Sequence, residues 1–320
     1  MSLCVKTLEV SSVTPDETRK MDRAVQSLTG VSRRQVVALF DQQCVLLNGQ
    51  LCRQPWQRLS VGDVVEVRYD PARRYRPQKR PPRHLGFDIL FADEHLIVVN
   101  KPAAWLTVPT PKHEPHTLIQ RISDYLTQAN RRQRVRVHAV QRLDRGVSGV
   151  LVFAKTTDIA EALREQFQRH EPERQYAAIV AGQVAHDMGT FRSHLVTNKS
   201  LKRYSTTDAE QGELAITHYQ VQRRLPDATA VCVWLETGRR NQIRVHFAEA
   251  GHPVLGDERY EHELARHPRW LAKRLALHAT LLAIRHPITG QICRFETDLP
   301  SEMQAFLGTR AWESPRRQAP

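Results

Sequence analysis

The order of apolar and polar positions gives the chain two different textures. Before residue 71 the pattern is short and local. Ser32 followed three residues later by Gln35 has the form of a helix capping box, and Val36, Val37, Leu39 and Phe40 supply an apolar face behind it. Asn48-Gly49 between apolar runs is a hairpin signal, because a two-residue turn needs positive φ at both positions. Val61-Gly62-Asp63 reads as a turn, and the residues from Val64 to Val67 alternate as a strand. Two helices followed by a short hairpin sheet are therefore expected within residues 16–70.

From Phe87 onward strands dominate. Residues 89–91 and 96–99 flank a polar turn, and 149–154 form an unbroken apolar strand. A helix is expected next, capped by Asp158 with Glu161 three residues on, and with Ile159, Leu163 and Phe167 on one face. Residues 176–180 and 230–235 read as strands, and 241–250 as a helix ended by Gly251. Residues 277–284 and 292–295 flank a Pro287-Ile288-Thr289-Gly290 turn. Many strands with few helices predict an α+β domain with a mixed, mainly antiparallel central sheet and flanking helices.

Charge changes this picture. The chain of 320 residues has a formal net charge of +13 and a pI near 9.9, which points to a polyanionic partner. The excess is concentrated. Residues 71–83 hold Arg73, Arg74, Arg76, Lys79, Arg80 and Arg83 among four prolines, and read as an extended linker. Arg131, Arg132, Arg134 and Arg136 form a second run. The five cysteines are scattered without a C-x-x-C pair, so neither a disulfide framework nor a zinc site is indicated, and a reducing, cytoplasmic setting is expected. No signal peptide is read in residues 1–17, and no apolar stretch of about 18 residues predicts a membrane span. His113 and His116 flank Glu114-Pro115, and that proline opposes a shared metal-binding helix face, so no metal is expected.

The chemistry is concentrated in Gln141-Arg142-Leu143-Asp144-Arg145-Gly146-Val147-Ser148-Gly149. Two arginines bracket one aspartate in a glycine-bearing loop that opens directly into a buried strand. Cations on both sides favour the charged carboxylate, as a nucleophile requires. On its own such an aspartate is more often an ion-pair or turn residue. The stretch resembles the H-R-L-D-x-x-T-S-G signature of the RluA family of pseudouridine synthases. Further segments resemble that family in order: Asn100-Lys101-Pro102, Arg174-Gln175-Tyr176 through Gly182, Thr237-Gly238-Arg239-Arg240-Asn241-Gln242-Ile243-Arg244-Val245-His246, Gly251-His252-Pro253 through Asp257 and Tyr260, and Leu277-His278-Ala279. Several ordered motifs are far more specific than one. Residues 16–70 are similar to the alpha-L RNA-binding motif of a small-subunit ribosomal protein.

The resemblance implies a layout of alpha-L domain (16–70), basic linker (71–86), catalytic domain (87–308) and tail (309–320). It implies an isomerase that converts uridine in structured RNA to pseudouridine, with ribosomal RNA of the large subunit favoured over transfer RNA and no cofactor; a monomer is expected, though the sequence leaves oligomeric state open. Asp144 would attack the sugar, Arg244 would pair with it, and Tyr176 would stack on the base and could move a proton. Arg142 would enter the space the flipped base leaves. Arg33, Arg34, Arg73, Arg74, Arg131 and Arg132 are candidate RNA contacts. The chain departs from the family pattern at Gln141 (usually His), Val147 (usually Thr), Ala104 (usually Gly), Arg240-Asn241 (usually Thr-His) and Glu261 (usually Gly), which bears on the RNA recognised. The rival readings are an RNA-binding or ribosome-assembly factor without activity and a hydrolase using Asp144 on a nucleoside. Binding alone would not need Asp144, Tyr176 and Arg244 together.

Overall fold

Strand β1 (Cys4–Glu9) turns Cys4, Lys6 and Leu8 inward and Val5, Thr7 and Glu9 to solvent. It heads a four-stranded antiparallel sheet in the computed structural model, which describes residues 4–11, 20–52, 55, 57–73, 75, 85–111, 114–130, 134–308 and 312 and, for Arg34, the backbone alone. The contacts divide the chain into two units, Met1–Pro82 and Arg83–Pro320.

In the first unit, α1 (Met21–Thr29) and α2 (Arg33–Asp41) precede β2 (Val45–Leu47), β3 (Gln50–Leu51) and β4 (Val64–Tyr69), and the sheet order is β1-β4-β2-β3. The capping box of α2 is present: the Gln35 N–H donates to Ser32 Oγ at 3.4 Å, and the Ser32 N–H donates to Gln35 Oε1 at 3.2 Å. The hairpin turns at Asn48 and Gly49, with φ of 51° and 78°. Met21, Ala24, Val25, Leu39, Phe40, Val45, Val65 and Val67 close the core. The expected span of 16–70 starts too late, since β1 pairs with β4 along six residues. The strand escapes a hydropathy reading because Lys6 faces inward while Val5 faces out.

The second unit carries β5 (Asp88–Ala92), β6 (Leu96–Lys101), α3 (Leu118–Ala129), β7 (His138–Ala139), β8 (Ser148–Ala154), α4 (Thr157–Gln168), β9 (Glu173–Ala181), β10 (Met188–Thr197), β11 (Arg203–Thr206), β12 (Glu213–Arg224) and β13 (Ala228–Leu235). Then follow α5 (Gln242–Glu249), α6 (His262–Ala265), β14 (Leu277–Arg285), β15 (Ile292–Glu296) and α7 (Ser301–Leu307). The sheet runs β11-β10-β12-β13-β9-β14-β8-β6-β5, with β15 beside β14 and β7 beside β8. Its pairs are antiparallel except β14 with β8, so the expected mixed, mainly antiparallel α+β fold is the fold found.

Strand β8 is buried along its whole length because both of its faces are covered. Leu151 and Phe153 pack with Ile97, Val99, Leu118 and Ile122 on one side; Val150, Val152 and Ala154 meet Ile159, Ala160 and Leu163 of α4 on the other. An unbroken apolar run is the sequence mark of such a strand. The cap of α4 is Thr156, whose Oγ1 accepts from the Ile159 N–H; Asp158, expected as the cap, lies in the first turn.

Candidate active site

The 141–147 loop joins β7 to β8. It is pinned where it enters β8: Gly149 has φ of 119°, and a Cβ there would overlap the carbonyl of Ala279 on the parallel neighbour β14. The loop is held from beneath by the Asn100-Lys101-Pro102 segment. Lys101 is fully buried, and its Nζ donates to the carbonyls of Val147 (2.6 Å), Pro102 (3.0 Å), Asp144 (3.2 Å) and Arg145 (3.4 Å). Burial pulls the Lys101 ammonium down to about 7, Arg274 acts the same way, and Asp144 opposes. Thr107 Oγ1 donates to the Leu143 carbonyl at 2.9 Å and accepts from the Leu143 N–H at 3.2 Å. Leu143 is thereby anchored inward, Arg142 stays exposed, and the Asp144 side chain retains 23% exposure.

The opposite wall is the start of α5. Gln242 is buried with its amide satisfied on both sides. Its Oε1 accepts from Thr237 Oγ1 (2.8 Å) and the Arg239 N–H (2.9 Å), and its Nε2 donates to the Ile216 carbonyl and Thr217 Oγ1 (2.9 Å each). This fixes the turn that leads into Arg244. Arg244 Nη1 donates to Asp144 Oδ2 at 2.9 Å, while its Nε and Nη2 form a two-point pair with Asp257 at 2.6 and 2.8 Å. Asp257 is wholly buried, and its Oδ1 also accepts from the N–H groups of Arg259 (2.9 Å) and Tyr260 (3.1 Å). The Arg244 guanidinium lies 5.1 Å from the centre of the Tyr260 ring. Burial works against the charge on Arg244, but the hydrogen bonds and charges of Asp257 and Asp144 outweigh it and raise its pKa. Asn241 Nδ2 donates to the same Asp144 Oδ2 at 2.7 Å.

Tyr176, on β9, is 7% exposed and shares with Asp144 a small cavity of about 130 Å³ that Arg142, Val147, Asn241 and Leu277 also line. Burial pushes its phenol above the usual tyrosine range; Arg174 opposes that shift and Asp144 adds to it. Asp144 also borders a second cavity, of about 770 Å³, whose wall carries Arg145, Arg259, Arg266, Lys273 and Arg274. A third, of about 510 Å³, lies beyond Tyr176 and is bordered by Arg142, Arg164, His170 and Arg174. Among the described residues no group of three or more His, Cys, Asp or Glu is placed to hold a metal ion, and no helix is long and apolar enough to cross a membrane.

Asp144, Tyr176, Arg244 and Arg142 thus come together around one cavity. In the first unit, Arg33 is exposed at the start of α2 and Arg73 lies 5.2 Å from the Tyr75 ring. Arg74, Arg131, Arg132 and the side chain of Arg34 lie outside the described residues, as do 76–84 of the linker and all of the tail but Trp312. Sequence reasoning assigned no role to Asp257 or Asn241 and none to Lys101. Asp257 and Lys101 stand in the sequence reading only as letters of a motif and Asn241 only as a departure from one; the available signal for Asp257 is that it follows Arg244 by 13 residues.

The sequence pattern of the family described as RNA pseudouridylate synthase matches residues 95–249. A ribosomal large subunit pseudouridine synthase D from Zymomonas mobilis is 32% identical over 298 residues, covering 90% of this chain and 92% of the relative. An uncharacterized RNA pseudouridine synthase, YlyB, from Bacillus subtilis is 33% identical over 302 residues, covering 92% and 96%. Among solved structures, human RNA pseudouridylate synthase domain containing 4 superposes with a TM-score of 0.59 at 23% identity, over 72% of this chain and 95% of that one, a likeness of fold. With two relatives above 30% identity along almost their full length, the chain belongs to the RluA family of RNA pseudouridine synthases, isomerases that act on RNA.

Proposed function

We propose that the chain isomerises uridine in large-subunit ribosomal RNA to pseudouridine, with the Asp144 carboxylate as the attacking group. The observation that carries this reading is Asp144 itself: a partly exposed carboxylate on a rigid loop, paired with a buried arginine, where a small cavity meets a large basic one. The ribosomal substrate is supported by the name of the Zymomonas relative.

In this mechanism the small cavity takes one flipped pyrimidine ring against Tyr176. Asp144 attacks C1′ of the target, the C1′–N1 bond breaks, and the base leaves with the electron pair on N1. The base turns until C5 faces C1′. The C5–C1′ bond forms as the bond to Asp144 breaks, C5 then loses its proton, and N1 gains one. The positive charge that develops on the sugar is stabilised by the ionised carboxylate. Arg244 donates to that carboxylate and is itself held in place by Asp257. The Tyr176 phenol, held above its usual range, keeps its proton and offers the base a neutral ring face. Arg142, exposed beside the base cavity, fills the gap left in the RNA. The cations along the larger cavity receive the backbone of the neighbouring nucleotides, while the first unit grips RNA backbone.

The test is Asp144→Asn, assayed on total RNA from cells lacking the gene. Loss of turnover with RNA binding retained is expected, and wild-type turnover in the variant would remove the nucleophile. Mapping pseudouridine across all RNA of the same cells identifies the substrate, and a missing site confined to transfer RNA would overturn the ribosomal assignment.

A further inference from the structure

The bond from Asn241 to Asp144 has a meaning that the family roles leave open. Asp144 Oδ2 receives two donors, Asn241 Nδ2 at 2.7 Å and Arg244 Nη1 at 2.9 Å. Among the described residues Oδ1 receives none. A carboxylate held by two donors on one oxygen cannot rotate about its Cβ–Cγ bond without breaking both, so its other oxygen points in a fixed direction. The two donors come from opposite ends of one turn of chain, since Asn241 is the residue that precedes α5 and Arg244 lies within its first turn.

The backbone at Asn241 supports this reading independently. Its φ of 59° and ψ of 13° lie in the left-handed region, which asparagine tolerates better than most side chains. A helix entered in this way has its first residue turned from the ordinary cap geometry. Asn241 makes no side-chain cap bond to the helix, and its amide is spent on Asp144 instead. Two further consequences follow from its chemistry. The amide does not titrate, so it adds no acid or base dependence of its own. It is also a donor next to a carboxylate that already has a cation, so it orients charge without adding any.

We infer that Asn241 is a positioning residue that works with Arg244 to clamp Oδ2 of Asp144 and present Oδ1 to the sugar. The inference rests on Asp144 being the nucleophile, as proposed above. The family pattern has histidine at this position. Asparagine Nδ2 and histidine Nδ1 stand the same number of bonds from Cα, so histidine can offer a donor at the same place.

Three variants of the full chain test the clamp. Asn241→Gly keeps the left-handed backbone and removes only the amide. Its single-turnover rate at saturating enzyme should fall by about 10- to 100-fold, the value of one hydrogen bond to a charged group. Its affinity for RNA should stay within about twofold of wild type. Asn241→Asp sets a second carboxylate against the first around one arginine, so the two must share a proton. Its activity should be nearly absent at neutral pH and should recover as pH falls toward about 5, where the added acid is protonated and donates an O–H in place of the amide. Asn241→His should recover most of the rate that glycine loses. A wild-type rate for Asn241→Gly would overturn the clamp. So would weakened RNA binding with an intact saturating rate, which would make the amide an RNA contact, and so would an Asn241→Asp profile parallel to that of wild type. Asp144→Asn run alongside separates the two readings: an active Asp144→Asn removes the nucleophile, whereas an inactive Asp144→Asn beside an unimpaired Asn241→Gly removes only the clamp.

Discussion

The two units treat polar groups in opposite ways. In the first unit every described buried residue is apolar or a tyrosine or cysteine; all the buried polar and charged side chains that the described residues contain lie in the second. The fifteen histidines follow the same division, since none occurs before residue 84. Residues 1–82 nevertheless carry fourteen Lys and Arg against eight Asp and Glu. Among the described residues, the first unit buries no charged side chain. The other places charge in its interior, where fields are strong and a misplaced group is expensive. On the proposed reading, a surface that holds RNA and a site that breaks a bond would need these opposite arrangements.

The sharpest way to break the comparison is Asp257→Ala. It leaves the Arg244 guanidinium buried without its two-point partner, and should destabilise the second unit by about 3–5 kcal/mol. Denaturant unfolding followed by probes in each unit should show the second transition moving and the first standing still. A joint shift would mean that the units unfold as one.

Acidification should separate them next. Burial holds His246 down to about 4 and His278 to about 3, the latter with help from Arg274. Both are neutral in the folded protein, and an unfolded histidine takes up its proton near 6.5. Below that pH the unfolded chain binds more protons than the folded one. The stability these groups contribute is therefore complete above about 6.5 and is lost as pH falls toward their folded values. Between pH 6.5 and 5 the second unit should lose on the order of 2 kcal/mol for each. The first unit has no histidine to titrate, and its thermal midpoint should stay level across this window. His246→Gln should flatten the slope of the second unit.

Ser32→Ala removes one half of the capping box of α2 and should cost the first unit about 1 kcal/mol, with the saturating turnover rate unchanged. The smallest effect belongs to Arg33→Ala and Arg73→Ala. Each should lower the slope of log affinity against log salt by roughly 0.7–0.9 if it touches a phosphate, and neither should alter the rate at saturation. An unchanged slope would take the first unit off the RNA.

What could be read from the sequence alone was local or was spelled by ordered motifs. The α2 capping box, the Asn48-Gly49 turn and the buried run of β8 each depend on neighbours in the chain, and each is where the pattern places it. The strands β10 and β12 were missed; in β10 a single residue is buried, and the apolar residues Met188, Phe191, Leu195 and Val196 do not alternate. Asp144, Tyr176 and Arg244 could be named together only through the family segments, since Arg244 is 100 residues from its partner. The residues that organise them had no local mark. Asn241 reaches Asp144 across 97 residues, and to a sequence reading it was only a departure from a motif. The buried ammonium of Lys101 meets three of its four acceptors more than 40 residues downstream.

Those hydrogen bonds bear on which partner would deform on contact. A turn whose carbonyls are already gathered on one interior cation has little freedom left to surrender when a substrate arrives. If the 141–147 turn receives the substrate as proposed, the free protein already holds it in shape, and the bending, unstacking and strand opening would fall on the nucleic acid. On that reading discrimination between RNAs would follow how readily each one yields a nucleotide, and a loosely paired or kinked uridine would be taken before an equally accessible one in a stiff helix.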